Sequence, residues 1–530
     1  MRKFFNTTGL CNPKDHYMVD PFRGIYDKVY DLIEKQQYFV IHAPRQTGKT
    51  TFLHQLAHRL NREGKYLTTV CSLEGASYQS IGVEAASEAL ISSMYLTAKV
   101  FLTGSEMPPN PKNYIASANL FREYLSDWSA AQSKTIVLLI DEIDSLYDDV
   151  LVSILRQLRD GFQTRPTGFP QSIALVGLRD IREYKQKARG DNPSIGTGSP
   201  FNVKAKSFLL PVFSKTDVTN LLEQHTENAG QEFPAEVQAK LYEFSGGQPW
   251  LTNALANEIV SGILNDDYTK PITLDLVETA KENLIAARQT HLDSLADKLK
   301  EDRVRKIVTA IVGGDDLFSD DWDDNMRYCL DLGIVKAENG NITFANPIYR
   351  EIITRVLNSS FQGGFTGKEE YTAPLFVRAN GSLDMDKLLR AFQQFYRENS
   401  EHWLGRFQYK EAGHQLLLMA FLQRIINGST SLTASDGGRI EREMAVGSGR
   451  TDLAIYWKNE VHVIEMKLKR NPQALPKGRT QLKRYLDTLG QQRGYLVLFE
   501  LKPSTEISWE DRIKWTAEEF EGKELVVVEM

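Results

Sequence analysis

The stretch APRQTGKTT, Ala43 to Thr51, stands directly after the apolar run YFVIH, Tyr38 to His42, and directly before a segment with helical apolar spacing. A loop that cradles phosphate needs backbone N–H groups at a helix N-terminus, a glycine where a side chain would collide, a lysine for charge and a hydroxyl for magnesium. Gly48, Lys49 and Thr50 supply the last three. The first glycine of the usual pattern is replaced by Ala43, whose single methyl fits if the backbone there keeps a negative φ. The expectation is a strand, a phosphate loop and a helix. Ala43, Arg45, Gln46, Thr47, Gly48, Lys49, Thr50 and Thr51 would surround a nucleotide, with Thr50 as a magnesium ligand.

A second element complements this loop. The apolar run TIVLLI ends in Asp141 and Glu142. An acid leaving the carboxyl end of a buried parallel strand reaches magnesium through water, and the next acid polarises the attacking water. Asp141 is therefore expected at the metal and Glu142 in the catalytic role, whereas Asp144 and Asp148 are expected to cap or solvate the next helix. Further apolar runs, KYLTTVCSL, SIALVGL and SFLLPVF, alternate with helical patterns at 49–62 and 82–102. That rhythm implies an α/β fold with a parallel sheet covered by helices.

A chain of 530 residues is too long for one core and suggests about three or four domains. Hydrophobic residues at 42% and charged residues at 25% describe a globular protein rather than a disordered or fibrous one. The net charge of −6 offers no global attraction to nucleic acid, so a polyanion would need a local basic patch. Cys11, Cys71 and Cys329 lie far apart without zinc-site spacing, which fits a reducing, cytoplasmic setting. The first residues lack an apolar signal region and no window approaches a membrane span. His54 and His58 share a predicted helix face with no third ligand nearby, so packing is the expected role.

The expected boundaries are a core at 1–230, a helical lid at 231–295, an adaptor at 296–358, a linker and leading helix at 359–400, and a final domain at 401–530. The glycine-bearing segments KQKARGDNPSIGTGSPFN and NSSFQGGFTGKEE read as loop and linker. In the final domain a helix, EAGHQLLLMAFLQRII, precedes three strand-like runs, RIEREMAV, TDLAIYW and VHVIEMKLK. A helix, GRTQLKRYLDTLG, and two strands, GYLVLFE and ELVVVEM, follow. Alternate residues of a strand share a face, so Glu465 and Lys467 point the same way, and Asp452 starts the adjacent strand. Carboxylates that converge on a hard cation bind magnesium or manganese, which positions and acidifies water at a phosphodiester. The run KLKRNPQALPKGRTQLKR beside them reads either as a grip for a sugar-phosphate backbone or as a solvated helix face.

Residues 1 to about 290 resemble a P-loop ATPase of the AAA-like branch related to the signal-transducing STAND ATPases, through HAPRQTGKTT, IVLLIDEID, ALVGLRD, SPFNV and FSGGQPWL. The resemblance implies ATP as cofactor and a DHYMVDP segment lying over the base. Tyr17 and Val19 are thus candidates for the adenine pocket or for simple packing, and Pro249 of GGQP for lid contact with nucleotide. A helix end is the other reading of Gly246 and Gly247. Arg179 or Arg182 of VGLRD would approach the γ-phosphate, or make a surface ion pair. Residues 300–357 resemble a winged-helix module, but the acidic run DDLFSDDWDD in its recognition position favours an interdomain adaptor over a DNA reader.

The final domain, with D…ExK across a strand meander, resembles the PD-(D/E)XK nuclease superfamily, here with Thr451 in place of the proline. That resemblance implies Asp452 and Glu465 as metal ligands with Glu411 as an additional acid, and Lys467 as a catalytic group. It also implies Gln481, paired with Tyr485, as the QxxxY pattern of the RecB-like subgroup. The whole resembles bacterial or archaeal ATPase–nuclease fusions of antiviral defence. It implies a magnesium- or manganese-dependent nuclease acting on nucleic acid, DNA rather than RNA, controlled by ATP state and by ATP-dependent homo-oligomerisation, with no membrane partner. The other reading is a STAND-like signalling or remodelling ATPase whose C-terminal domain binds or docks without cutting.

Overall fold

The structure is a computed structural model that describes residues 2–73, 82–146, 148–178, 204–287, 290–312, 317, 323–362, 373–406, 413–427, 439–446, 449–469, 473–500 and 513–530. Five strands form its first sheet: β1 (Tyr38–His42), β2 (Tyr66–Ser72), β3 (Thr135–Asp141), β4 (Ser172–Gly177) and β5 (Lys204–Leu209). All pairings are parallel, in the order β2-β3-β4-β1-β5. Every residue of β3 after Thr135 is buried, which is why the strand reads as an unbroken apolar run rather than an alternating one. Its two faces feed separate cores. Leu138 and Ile140 join Tyr38, Val40 and the helices Val83–Phe101, Leu120–Ala130 and Asp148–Asp160. Val137 and Leu139 join Phe39, Ile41 and the helix Lys49–Glu63.

The run SFLLPVF marks only the end of β5, which begins at Lys204. A sheet-edge strand keeps polar residues on its open side, so its apolar signal is shorter than the strand itself. His54 and His58 both pack against the Phe101 ring, with centroids 5.1 and 4.9 Å away.

Lid helices follow at Lys215–Ala229, Ala235–Ser245, Pro249–Asn257 and Leu274–Ala286. The first is started by a reciprocal capping box between Ser214 and Asp217. Next come the helices Asp302–Val312 and Asp324–Asp331, the strands β6 (Val335–Glu338) and β7 (Asn341–Phe344), and the helix Pro347–Gln362. Asn339 and Gly340 at the hairpin tip both have positive φ, 52° and 84°, as a tight hairpin turn of right-handed twist requires.

Two compact units emerge, Met1–Leu295 with Ser319–Asn339 and Thr343–Tyr349, and Ala296–Phe318 with Gly340–Ile342 and Arg350–Met530. The stretch 296–358, expected as one adaptor, is thus divided between them. Within the first unit the cause is close packing: the phosphate-loop Pro44 lies against Gly333, and Ala345 lies against Gly246 of the lid.

The second unit contains a six-stranded mixed sheet. β8 (Arg439–Val446), β9 (Gly449–Trp457) and β10 (Glu460–Leu468) form an antiparallel meander. β11 (Arg493–Phe499) runs parallel to β10, and β12 (Lys514–Phe520) and β13 (Lys523–Glu529) complete the order β12-β13-β11-β10-β9-β8. The helix Ala474–Thr488 covers one face, where Leu482, Tyr485 and Leu486 meet Val463, Leu496 and Val527. On the other side Phe392, Tyr396 and His414 surround the Phe499 ring. β12 has no counterpart in the sequence reading. Its side chains are all exposed or half-buried along the edge, so KWTAEEF carries too little apolar signal. Among the described residues, no helix is long and apolar enough to cross a membrane.

Candidate functional site

The loop after β1 has the geometry its residues demand. Ala43 is fully buried, keeps a negative φ and donates its N–H to the Gly177 carbonyl at 3.2 Å, so its methyl is accommodated without strain. Gln46 (φ 56°) and Gly48 (φ 87°) take the left-handed turns. At Gly48 a Cβ would stand 2.8 Å from the end of the Arg23 side chain, which would have to shift, and the left-handed backbone itself favours glycine there. Thr47 Oγ1 donates to the Pro44 carbonyl at 2.8 Å and braces the loop. Lys49 Nζ donates to the carbonyls of Ala43 and Pro44 at 2.8 and 2.7 Å. Burial lowers Lys49 to about 8, opposed by the charges of Asp141, Asp144 and Glu142, while Arg45 adds to the lowering.

Thr50 Oγ1 donates to Asp141 Oδ2 at 2.8 Å, joining the start of the helix after the loop to the end of β3. Asp141 is 3% exposed. Burial pushes its carboxyl up, while the Thr50 hydroxyl, the Lys49 charge and the Glu142 N–H pull it down. A hydroxyl and a carboxylate side by side at a phosphate loop form an oxygen donor set that suits magnesium. Glu142 has φ 58°, uncommon for a residue with a side chain. It accepts a hydrogen bond from Ser72 Oγ at 3.2 Å. Asp144 accepts the Leu178 N–H at 3.0 Å, tying the end of β4 to this acidic turn. That is a bracing role the sequence did not suggest. Arg179 and Arg182 lie outside the described residues.

Beside the loop opens a cleft. Tyr17, Met18, Val19, Gln46, Gly48, Thr51, Leu221, Pro249, Trp250 and Asn253 are among the residues that line it, so Tyr17, Val19 and Pro249 share one cavity with the loop. Tyr17 is also a packing residue. Its ring lies 4.8 Å from Phe5, and its hydroxyl donates to Asn228 Oδ1 at 3.2 Å and meets His225 Nδ1 at 3.2 Å. The segment is held like an added strand, since the Gln224 side chain bonds the Met18 N–H and carbonyl at 3.1 and 3.0 Å. Gly246 ends its helix in the left-handed conformation, the helix end that is one of the two readings of GGQP.

Two residues were missed by the motif. Gln248 caps the helix Pro249–Asn257 through its Oε1, and its Nε2 reaches the Arg45 and Gln46 carbonyls at 3.4 Å. It latches lid to loop. Arg23 lines the cleft and donates to the carbonyls of Thr47 and Pro211, and burial lowers it to about 10. Neither belongs to a short recognisable motif. A cap-forming Gln before a helical Pro was the one signal available for Gln248.

In the second unit Glu465 is 1% exposed, and Lys467 Nζ lies 2.8 Å from its Oε1. Leu453 pairs with Ile464, and one further step of this register sets position 452 opposite position 465. The Asp452 side chain and all of Glu411 lie outside what the structure describes. Gln481 is half-buried on the helix Ala474–Thr488, one turn before the buried Tyr485. That helix runs over the pair, for a Cβ added at Gly478 would stand 3.3 Å from Lys467 Cγ. Among the described residues, no three His, Cys, Asp or Glu side chains converge as metal ligands.

The basic run is less free than it reads. Arg479 pairs with both oxygens of Glu518 at 2.5 and 2.6 Å, Lys483 with Asp487 at 2.8 Å, and Lys469 with Glu529. Two of these acids come from β12 and β13, distant in sequence, which is why the run seemed unopposed. Lys477 and Arg484 have no carboxylate partner among the described residues.

The AAA domain family model matches residues 33–184, and a domain of unknown function, DUF8371, matches residues 390–502. No curated protein matches the chain. Among solved structures, a Walker-type ATPase of Pyrococcus abyssi is similar at 14% identity over 66% of this chain and 99% of that one, with a TM-score of 0.46. The RuvB Holliday junction branch migration motor of Thermotoga maritima is similar at 14% identity over 62% and 94%, with a TM-score of 0.32. Orc1 of Aeropyrum pernix, solved in complex with DNA, is similar at 13% identity over 64% and 93%, with a TM-score of 0.33. Residues 33–184 are thus an AAA domain of the P-loop ATPase fold, in which the parallel strands β1 to β4 and the Thr50–Asp141 bond frame the phosphate loop.

Proposed function

We propose that this chain hydrolyses ATP to control a divalent-metal phosphodiesterase in its C-terminal domain, a nuclease that acts on DNA. At the ATPase site Lys49 leaves its loop carbonyls to meet the β- and γ-phosphates. Thr50 and Asp141 would hold magnesium, and Glu142 would orient the attacking water. Magnesium supplies positive charge against the phosphate oxygens when bound. At the second site Asp452 and Glu465 would hold the cation, and Lys467 would orient the nucleophile or offset charge on the cleaved phosphodiester. The observation that carries this reading is the Glu465–Lys467 pair at 2.8 Å with position 452 opposite it in register. The meander followed by a helix and a strand parallel to β10 supports it.

A second reading keeps the ATPase and makes the C-terminal domain a non-cleaving docking platform. The carboxylates paired with Lys469, Arg479 and Lys483 favour it, because they lower the positive potential near the proposed site. The two readings separate when linear, circular and single-stranded DNA, and RNA, are incubated with magnesium or manganese, with and without ATP. Wild type, Lys49→Ala and Lys467→Ala are compared, each with a thermal melt to show that it is folded. Cutting lost in Lys467→Ala supports the nuclease, and cutting lost in Lys49→Ala as well supports control by ATP. ATP turnover with intact nucleic acid throughout leaves the docking platform.

A further inference from the structure

We infer that residues 6–11 form a hinged arch that gates the cleft beside the phosphate loop, and that its opening sets how fast nucleotide enters and leaves. Asn6, Thr7, Thr8, Gly9 and Cys11 all line that cleft. Thr8, Gly9 and Leu10 are exposed to solvent, so the arch has the cleft on one side and water on the other. A nucleotide in the cleft would lie behind a thin wall of chain.

The arch is built to move as one piece. Asn6, 7% exposed, braces it from inside. Its Oδ1 accepts the Thr8 N–H at 3.1 Å, and its Nδ2 donates to the Gly9 carbonyl at 3.4 Å and to Cys11 Sγ at 3.3 Å. Gly9 takes φ 64°, which lets the chain reverse at the crown. Both ends are pinned outside the arch. The Phe4 N–H donates to the Asp15 carbonyl and the Phe4 carbonyl accepts the Tyr17 N–H, each at 3.1 Å, while the Asn12 carbonyl accepts the His16 N–H at 2.9 Å. Between those pins two hydrogen bonds fasten the arch. The Cys11 N–H donates to Thr51 Oγ1 at 3.3 Å, on the helix after the phosphate loop, and Trp250 Nε1 donates to the Thr7 carbonyl at 2.9 Å, from the lid. One tie runs to the core and one to the lid, so the closed arch spans the two sides of the cleft. A segment fastened by so few bonds, with an exposed outer side, belongs to the low-stability end of a fold, where local opening is frequent.

The inference rests on the cleft being the nucleotide site, and the test tells the two claims apart. Association and release of ADP carrying a fluorescent group on its ribose are followed by stopped flow on the full chain. Wild type is compared with Trp250→Phe, which keeps a ring and removes the N–H, and with Asn6→Ala, which loosens the arch from inside; a thermal melt of each shows that it is folded. Loss of one hydrogen bond predicts an open fraction about fivefold larger. Association and release should therefore both quicken about fivefold in Trp250→Phe, and both should quicken in Asn6→Ala. Faster association is the readout peculiar to a gate, because losing a residue that only grips nucleotide or supports the fold leaves association unchanged or slower. Unchanged rates in both variants overturn the gate, and so does faster release without faster association; either result leaves the nucleotide site standing. A wild type that binds no ADP sinks the site and the gate with it.

Discussion

Raising the pH from about 7.5 to about 9.5 should weaken ATP binding by roughly 20-fold, because the Lys49 ammonium that must meet the phosphates is held in the ligand-free loop with its titration lowered to about 8. The sign follows from burial. A lysine whose folded value lies below its unfolded one is disfavoured as a cation, so the ligand-free fold gains stability as pH climbs from about 8 towards the ordinary lysine value. Phosphate restores the ammonium, so binding above about pH 8 takes up close to one proton, and affinity drops nearly tenfold per pH unit. ATP is already fully ionised over this range, and burial pushes Tyr17, the cleft's tyrosine, up to about 12, out of the window. The assay is fluorescence titration with a labelled ATP analogue at constant free magnesium, for wild type and Lys49→Arg. Arginine stays charged throughout, so its profile should be flat even if its affinity is lower. A flat wild-type profile, or a slope that persists in Lys49→Arg, would refute the reasoning.

Gly48→Ala forces a Cβ towards the Arg23 guanidinium in a left-handed backbone, and should abolish nucleotide binding and cost about 1 kcal/mol or more in thermal stability; normal ATP affinity would contradict this. Thr50→Ala removes the bond to buried Asp141, with an expected loss of about 1 kcal/mol in a denaturant melt and loss of the magnesium-dependent part of ATP affinity. Lys467→Ala removes the cation paired with the buried Glu465 carboxylate, so it should destabilise the second unit by about 1–3 kcal/mol, measurable in the same melts that accompany the cleavage assay. Glu518→Ala frees Arg479, and if the domain holds nucleic acid, the slope of log affinity against log salt should steepen by about 1; an unchanged slope places Arg479 away from phosphates.

What the sequence by itself determined is the sheet and its phosphate loop. Apolar strands buried on both faces, glycine and lysine at a helix start, and an acid at a strand end are local patterns, and each is dictated by constraints within a few residues. The meander with Glu465 and Lys467 on one face was legible for the same reason, since strand alternation needs no knowledge of the partner. Tertiary structure alone decided the rest. It set Thr50 against Asp141, latched Gln248 to the Arg45 and Gln46 carbonyls, and supplied Glu518 and Glu529 to neutralise a run that reads as bare positive charge. Those pairings join residues far apart in the chain, and no local spacing records which distant side chain a fold will bring within hydrogen-bonding reach.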